Sequence, residues 1–339
     1  MQIPKTSEGD EMRILFMGHG KWACITLESL VKAKHDVVGV VCELDSFDNK
    51  EDAHYKRFSS RGLYASLKDI AKKLGLKVMQ PEDVNSSEFI KTIQKHNPEL
   101  IVMVSYHAII RDDLLNIYKG RMINVHGAPL PYYRGRAPIN WAIINGEDHT
   151  GVTVHYIAKE VDQGDIIAQE IIPIKRSDTA AEILQKTLDS YPRLTLKALE
   201  LISSNKVKRV KQDPAEGCYF PRRKEEDGLI DWSWRSEDIY NFVRALTYPY
   251  HGAFTYYKGK KLIIWNASLP SLKEAKRVSP ICGIAFGRTK ENYRLVTTGD
   301  SYIIIERAQF EGETNVEQKS GDIIFPGGKF FRNAEDHKR

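Results

Sequence analysis

The sequence predicts an α/β protein: a Rossmann-like, mostly parallel sheet with helices on both faces, followed by a smaller, barrel-like β-rich domain. Three observations carry this. Short apolar runs alternate with amphipathic segments through the first part of the chain, the pattern of βαβ units whose strands are buried on both faces. Glycine and polar breaks fall between them. Beyond Pro221 the texture changes to several short β-rich runs.

Met12 to Met17 reads as the first strand, Gly18-His19-Gly20 as a turn and Lys21 to Ala33 as a helix. Val37 to Cys42 is a second buried strand, and the charged stretch Glu43 to Arg61 a loop before a helix over Tyr64 to Leu74. Val78 to Pro81 ends a short strand, Ser87 to His96 is a helix, and Leu100 to Val104 and Met122 to Val125 are strands. Val152 to Ile157 and Ile166 to Ile174 form a hairpin around Asp162-Gln163-Gly164-Asp165. A long amphipathic helix over Thr179 to Ser203 follows, with Ser177 and Asp178 as caps. After it, Phe254 to Tyr257, Leu262 to Trp265, Gly283 to Phe286, Tyr293 to Thr297 and Tyr302 to Ile305 suit a small barrel or sandwich. The expected domains are a flexible start over 1–11, a large domain over 12–206, a linker over 207–221, a β-rich domain over 222–330 and a flexible tail over 331–339.

A chain of 339 residues suits two such domains. Its 50 basic and 45 acidic residues nearly balance, with no long basic run, so nucleic acid is not an expected partner. Cys24, Cys42, Cys218 and Cys282 make no CxxC pair. That argues against a zinc site or a disulfide framework and for a reducing compartment. No stretch approaches the ~20 apolar residues of a membrane span. The expected location is the cytoplasm, with no metal and no membrane partner.

Gly18-x-Gly20-x-x-Ala23 opens a helix after a strand, and Glu43 lies 20 residues past Ala23. This spacing meets the dinucleotide-binding fingerprint, in which the acid would hold a ribose. Two readings are open: a nicotinamide-dependent dehydrogenase, or glycines that only shape a tight turn.

Asn124-Val125-His126 ends a strand and runs into Gly127-Ala128-Pro129-Leu130-Pro131. Residues i and i+2 of a strand share a side, and ligands of open α/β sheets bind beyond the carboxyl ends of the strands. A hydrogen-bond donor and a proton-carrying side chain therefore face one crevice. The residues alone leave a structural role equally open.

Asn124-Val125-His126-Gly127, Leu130 to Trp141 and Gly151-Val152-Thr153-Val154-His155 resemble the N10-formyltetrahydrofolate-dependent sugar N-formyltransferases, in particular those acting on UDP-4-amino-4-deoxy-L-arabinose. Pro221-Arg222-Arg223, Ile230-Asp231-Trp232, Arg244 to Pro249 and Gly252-Ala253-Phe254 extend the likeness, which spans roughly Met12 to Ile305. Ala128-Pro129-Leu130-Pro131 departs from the family's usual Ser-Leu-Leu-Pro. The resemblance implies transfer of a formyl group from N10-formyltetrahydrofolate to a nucleotide-linked amino sugar, within surface-glycan or lipopolysaccharide biosynthesis, by a homodimer.

It also implies that Asn124, His126 and Asp162 are catalytic. The donor would meet Ala108, Ile109 and Ile110, Arg136, and the stretch Ala158, Lys159, Glu160, Val161 and Asp162. Asn124 would donate to the developing oxyanion, worth about 2.7 to 4 kcal/mol for a single donor. His126 would take the amine's proton, and Asp162 would steady the imidazolium so formed. Without the resemblance, Asp162 reads as a turn-capping carboxylate, 108–110 as a helix start and Arg136 as a surface ion-pair partner. Tyr132, Tyr133, Arg134 and Trp141 are open candidates for acceptor binding or for packing. Methionyl-tRNA formyltransferase, in the same superfamily, is the rival within the chemistry, and a non-catalytic folate-binding module is a third reading.

Overall fold

A computed structural model describes residues 12–43, 65–271, 279–313 and 318–332. The expected flexible start at 1–11, most of the expected loop after Glu43 and the end of the tail lie outside these residues. Up to Pro221 the elements are β1 (Arg13–Gly18), α1 (Gly20–Lys32), β2 (Asp36–Cys42), α2 (Leu67–Lys73), β3 (Val78–Met79), α3 (Ser87–His96), β4 (Leu100–Val104), α4 (Asp112–Ile117), β5 (Met122–His126), β6 (Arg134–Gly135), α5 (Pro138–Ile144), β7 (His149–Tyr156), β8 (Ile166–Pro173), α6 (Ala180–Ser203) and β9 (Tyr219–Phe220). Among the described residues, no helix is long and apolar enough to cross a membrane. The chain divides into two compact units: residues to 138 with 149–173 and 184–221, and residues 139–148 and 174–183 with those from 222 onward.

The first unit is built on a seven-stranded sheet in the order β3-β2-β1-β4-β5-β7-β8. The strands from β3 to β5 run parallel, whereas β7 is antiparallel to β5 and β8 to β7. Alternation of side chains along β1 sends Ile14 and Phe16 to one face and Leu15 and Met17 to the other. Leu27 and Leu30 of α1, Ala71 of α2 and Leu194 and Leu199 of α6 cover the first face. Phe89 and Ile93 of α3 and Leu114 of α4 cover the second. The Rossmann-like sheet clothed on both faces is therefore present, with an antiparallel hairpin added at one edge.

Local chemistry sets the helix ends. Ser86 Oγ accepts the Phe89 N–H at 3.2 Å and caps α3. We expect Ser86→Ala to cost about 1 kcal/mol, lowering the thermal midpoint by roughly 2 to 4 °C for a unit of this size; calorimetry on the whole chain tests this. The start of α6 differs from the expected Ser177 and Asp178 caps. Thr179 opens that helix, and Glu182 Oε2 accepts from both the Thr179 amide and its hydroxyl. Asp178 Oδ2 instead accepts the Lys175 N–H at 2.8 Å, because its side chain turns back along the chain.

In the second unit, α7 (Ser236–Leu246), β10 (Ala253–Tyr257), β11 (Lys260–Ser268), β12 (Ala285–Arg288), β13 (Arg294–Thr297), β14 (Tyr302–Phe310), β15 (Gln318–Lys319), α8 (Ser320–Ile323) and β16 (Phe330–Phe331) follow in order. The sheet runs β12-β13-β14-β11-β10-β16. A bridge between Ile284 and Lys329 joins its two ends, which curls it toward a barrel. Helix α7 went unassigned from the sequence, although Ile239, Phe242, Val243 and Leu246 recur at helical spacing and are buried.

Candidate active site

Strand β5 is the seam of the first unit's sheet, with a parallel neighbour on one side and an antiparallel one on the other. Asn124 and His126 project from it into a cavity of about 320 Å³ whose walls all belong to that unit. Asp162 reaches the same cavity from the loop between β7 and β8, at a left-handed φ of 56°. That conformation costs an ordinary side chain about 1 to 2 kcal/mol, so surrounding contacts must hold it. The Gly135 N–H donates to Asp162 Oδ2 at 2.9 Å, and Gln212 Nε2 donates to the Asp162 carbonyl at 2.8 Å.

Hydrogen-bond partners fix the imidazole protons. His126 Nε2 lies 2.8 Å from the Tyr133 carbonyl, which only accepts, so that nitrogen carries the hydrogen. Nδ1 is left facing Asp162 Oδ2 at 3.5 Å. His155 is bound in the same manner: Nδ1 donates to the Tyr156 carbonyl at 2.8 Å, leaving Nε2 to accept from Asn124 Nδ2 at 3.2 Å. The second Asn124 hydrogen goes to Asp162 Oδ1 at 3.4 Å. In this arrangement the amide expected to face an oxyanion is already held by two long bonds.

Burial by itself pushes the Asp162 carboxyl up. Once the imidazoles are protonated, the charge of His126 and then the hydrogen bond and charge of His155, together with the Gly135 amide, outweigh it, holding the carboxyl well below the usual carboxylate range. Tyr191, from α6, lines the cavity beside Gly127, where an added Cβ would lie 2.8 Å from its hydroxyl oxygen. Burial, then the charge of Asp162, pushes that hydroxyl up, so it stays a neutral donor.

The structure brings every expected site residue to this one cavity: Asn124, His126 and Asp162 with Ala108, Ile109, Ile110, Arg136, Ala158, Lys159, Glu160 and Val161. Ile109 and Val161 are exposed, and Lys159 turns outward to Asp112 at 3.6 Å. The acceptor candidates fare differently. Arg134 is buried and donates twice to Gln212 Oε1, Tyr133 stacks on Phe220 at 5.1 Å, and Trp141 lies under the Arg223 guanidinium at 4.7 Å. Tyr132 is exposed. Sequence reasoning missed His155, Gln212, Gly135 and Tyr191 as site residues. The Asn124–His155 pairing across β5 and β7 would have found the first, but that register is not written in either strand alone.

The geometry gives the dinucleotide reading no support. A Cβ at Gly18 would meet the Ala23 Cβ at 2.6 Å, so this glycine serves the close packing of strand and helix. The acid that a ribose would need is engaged elsewhere, since Glu43 Oε2 lies 2.9 Å from His107 Nδ1.

Residues 12–199 match the formyl transferase family and residues 222–320 its C-terminal domain. Methionyl-tRNA formyltransferase from Pelotomaculum thermopropionicum is 35% identical over 316 residues, 92% of this chain and 95% of that protein. The bifunctional polymyxin resistance protein ArnA of Wigglesworthia glossinidia brevipalpis is 33% identical over 258 residues, 76% of this chain and 38% of that protein. The solved structure of WlaRD, a sugar 3N-formyl transferase crystallised with dTDP and 5-N-formyl-THF, shares the fold. Its TM-score is 0.65 at 23% identity, covering 90% of this chain and all of that one. The α/β unit with its curled β companion is thus the frame of a one-carbon transferase. The chain belongs to the formyl transferase family and is a formyl-transferring enzyme.

Proposed function

We propose that the chain transfers the formyl group of N10-formyltetrahydrofolate to the amine of a nucleotide-linked amino sugar, a UDP- or dTDP-linked 4-amino-4-deoxy or 4-amino-4,6-dideoxy sugar, with Asn124, His126 and Asp162 as the catalytic set. The observation that carries the reading is the convergence of those three side chains, from β5 and a distant loop, on one cavity. Acyl transfer needs a donor for the growing oxyanion, a group that takes the amine's proton and a charge that steadies the result. His126 accepts the proton at Nδ1, where Asp162 Oδ2 stabilises the imidazolium. Asn124 gives up its 3.4 Å contact to Asp162, the weaker of its two, to donate to the formyl oxygen.

The donor supplies the formyl carbon, and the cavity suits it. Residues 108–110 and 158–161 line a space of a size common for small-molecule sites, with Arg136 among the lining residues. The near balance of 50 basic and 45 acidic residues suits a nucleotide sugar better than a long polyanion. The fold shared with a sugar N-formyltransferase agrees with it. We place the reaction in the cytoplasm, in a homodimer that serves surface-glycan biosynthesis.

A second reading, formylation of methionyl-tRNA, is favoured by the 35% identity that runs across 92% of the chain. Tetrahydrofolate release separates the two. With the N10-formyl donor present, we expect kcat/KM on at least one UDP- or dTDP-linked amino sugar to exceed that on methionyl-tRNA by about 100-fold or more. Release with methionyl-tRNA alone rejects the amino-sugar reading.

A further inference from the structure

Glu43 stands just past β2, and both of its carboxylate oxygens are committed to one residue. Oε1 accepts the His107 main-chain N–H at 2.5 Å, and Oε2 lies 2.9 Å from His107 Nδ1. The clamp is itself anchored, because the Glu43 carbonyl accepts from Gln80 Nε2 at 2.9 Å. His19, from the glycine turn after β1, packs its ring 5.5 Å from that of His107.

His107 begins the stretch that walls the cavity through Ala108, Ile109 and Ile110. Between β4 and α4 this stretch has no helix or strand of its own, and Ser105 just before it takes a left-handed φ of 53°. Local backbone preference does not favour that bend. Its shape therefore depends on ties from outside. The far end is held by Asn85, whose Nδ2 donates to the Ile109 carbonyl at 2.9 Å and whose Oδ1 accepts the Arg111 N–H at 2.7 Å. The near end is held by Glu43 and by Arg136, which donates to the His107 carbonyl at 3.2 Å. Burial pushes the Glu43 carboxyl up, yet the hydrogen bonds and charge of His107 bring it below its ordinary value, so the acceptor is a charged one.

We infer that Glu43 is a positioning residue: its two-point hold on His107 fixes the 107–110 wall in the shape that receives the formyl donor, and so sets donor affinity without taking part in the chemical step. The inference rests on the proposed reading of the cavity. Its site is the one that the dinucleotide spacing pointed to, put to a different use.

The test uses the full chain with Glu43→Ala and Glu43→Gln, and 5-formyltetrahydrofolate as a non-reacting probe of the donor site. Losing a charge-assisted pair of bonds corresponds to roughly a tenfold weaker probe Kd in Glu43→Ala. Turnover at saturating donor should stay within about twofold of wild type, and amide hydrogen exchange over 106–110 should quicken. Gln keeps an acceptor for the His107 N–H and should restore most of the affinity. The inference is overturned if Glu43→Ala binds the probe as tightly as wild type, or if turnover falls while affinity holds. A wild-type chain that fails to bind the probe overturns the reading of the cavity itself, and exchange over 106–110 tells that result apart from loss of the clamp.

Discussion

Asp162→Asn is expected to lower turnover by about 10² to 10⁴-fold while leaving the fold in place. The isosteric amide keeps the shape of the side chain but removes the charge facing His126 Nδ1 at 3.5 Å. It also disturbs a junction, because Asp162 accepts from Gly135 N–H and from Asn124 and lies 3.6 Å from His155 Nε2. Single-turnover rates at saturating donor read the loss directly, and a rate within a fewfold of wild type would reject the role. The same variant changes the acid limb of stability. A carboxyl whose folded pKa is depressed contributes stability above its unfolded value of about 3.9, and that contribution is lost as the pH falls through this value toward the lower native one. Denaturant unfolding at stepwise lower pH should therefore fall off less steeply in Asp162→Asn than in wild type.

Gly164→Ala should destabilise the chain by at least about 3 kcal/mol, at or beyond the upper end of overpacking costs. A Cβ at Gly164 would lie 1.7 Å from the Tyr156 carbonyl oxygen, a backbone atom that cannot swing aside. The Gly164 carbonyl also accepts from Gln212 Nε2 at 2.7 Å, the same nitrogen that holds the carbonyl of Asp162. Displacing the loop thus moves the Asp162 carboxylate, and on the proposed reading activity falls even at temperatures where the variant stays folded. Urea unfolding paired with turnover checks both parts, and a shift below about 1 kcal/mol would show that the loop yields more easily than this packing implies.

The parallel strands were legible because each is an unbroken apolar run, and Asn124 and His126 because strand alternation forces them to one side. Asp162 entered the candidate site only through family likeness, since locally its carboxylate reads as one that caps a turn. His155, Gln212 and Glu43 acquire their roles from partners 31, 50 and 64 residues away, and such pairings depend on register and on loop paths that no local pattern encodes. The same holds for the curled sheet. Its short strands were visible one by one, but not the Ile284–Lys329 bridge between its ends.

The bond from His126 Nε2 to the Tyr133 carbonyl leaves the ring with one working nitrogen. Such an imidazole is a cul-de-sac and not a corridor: a proton that enters at Nδ1 has to depart by Nδ1. On the proposed reading, the incoming amine and the departing folate nitrogen then present themselves to the same edge in turn, and the reactants pivot about a fixed atom.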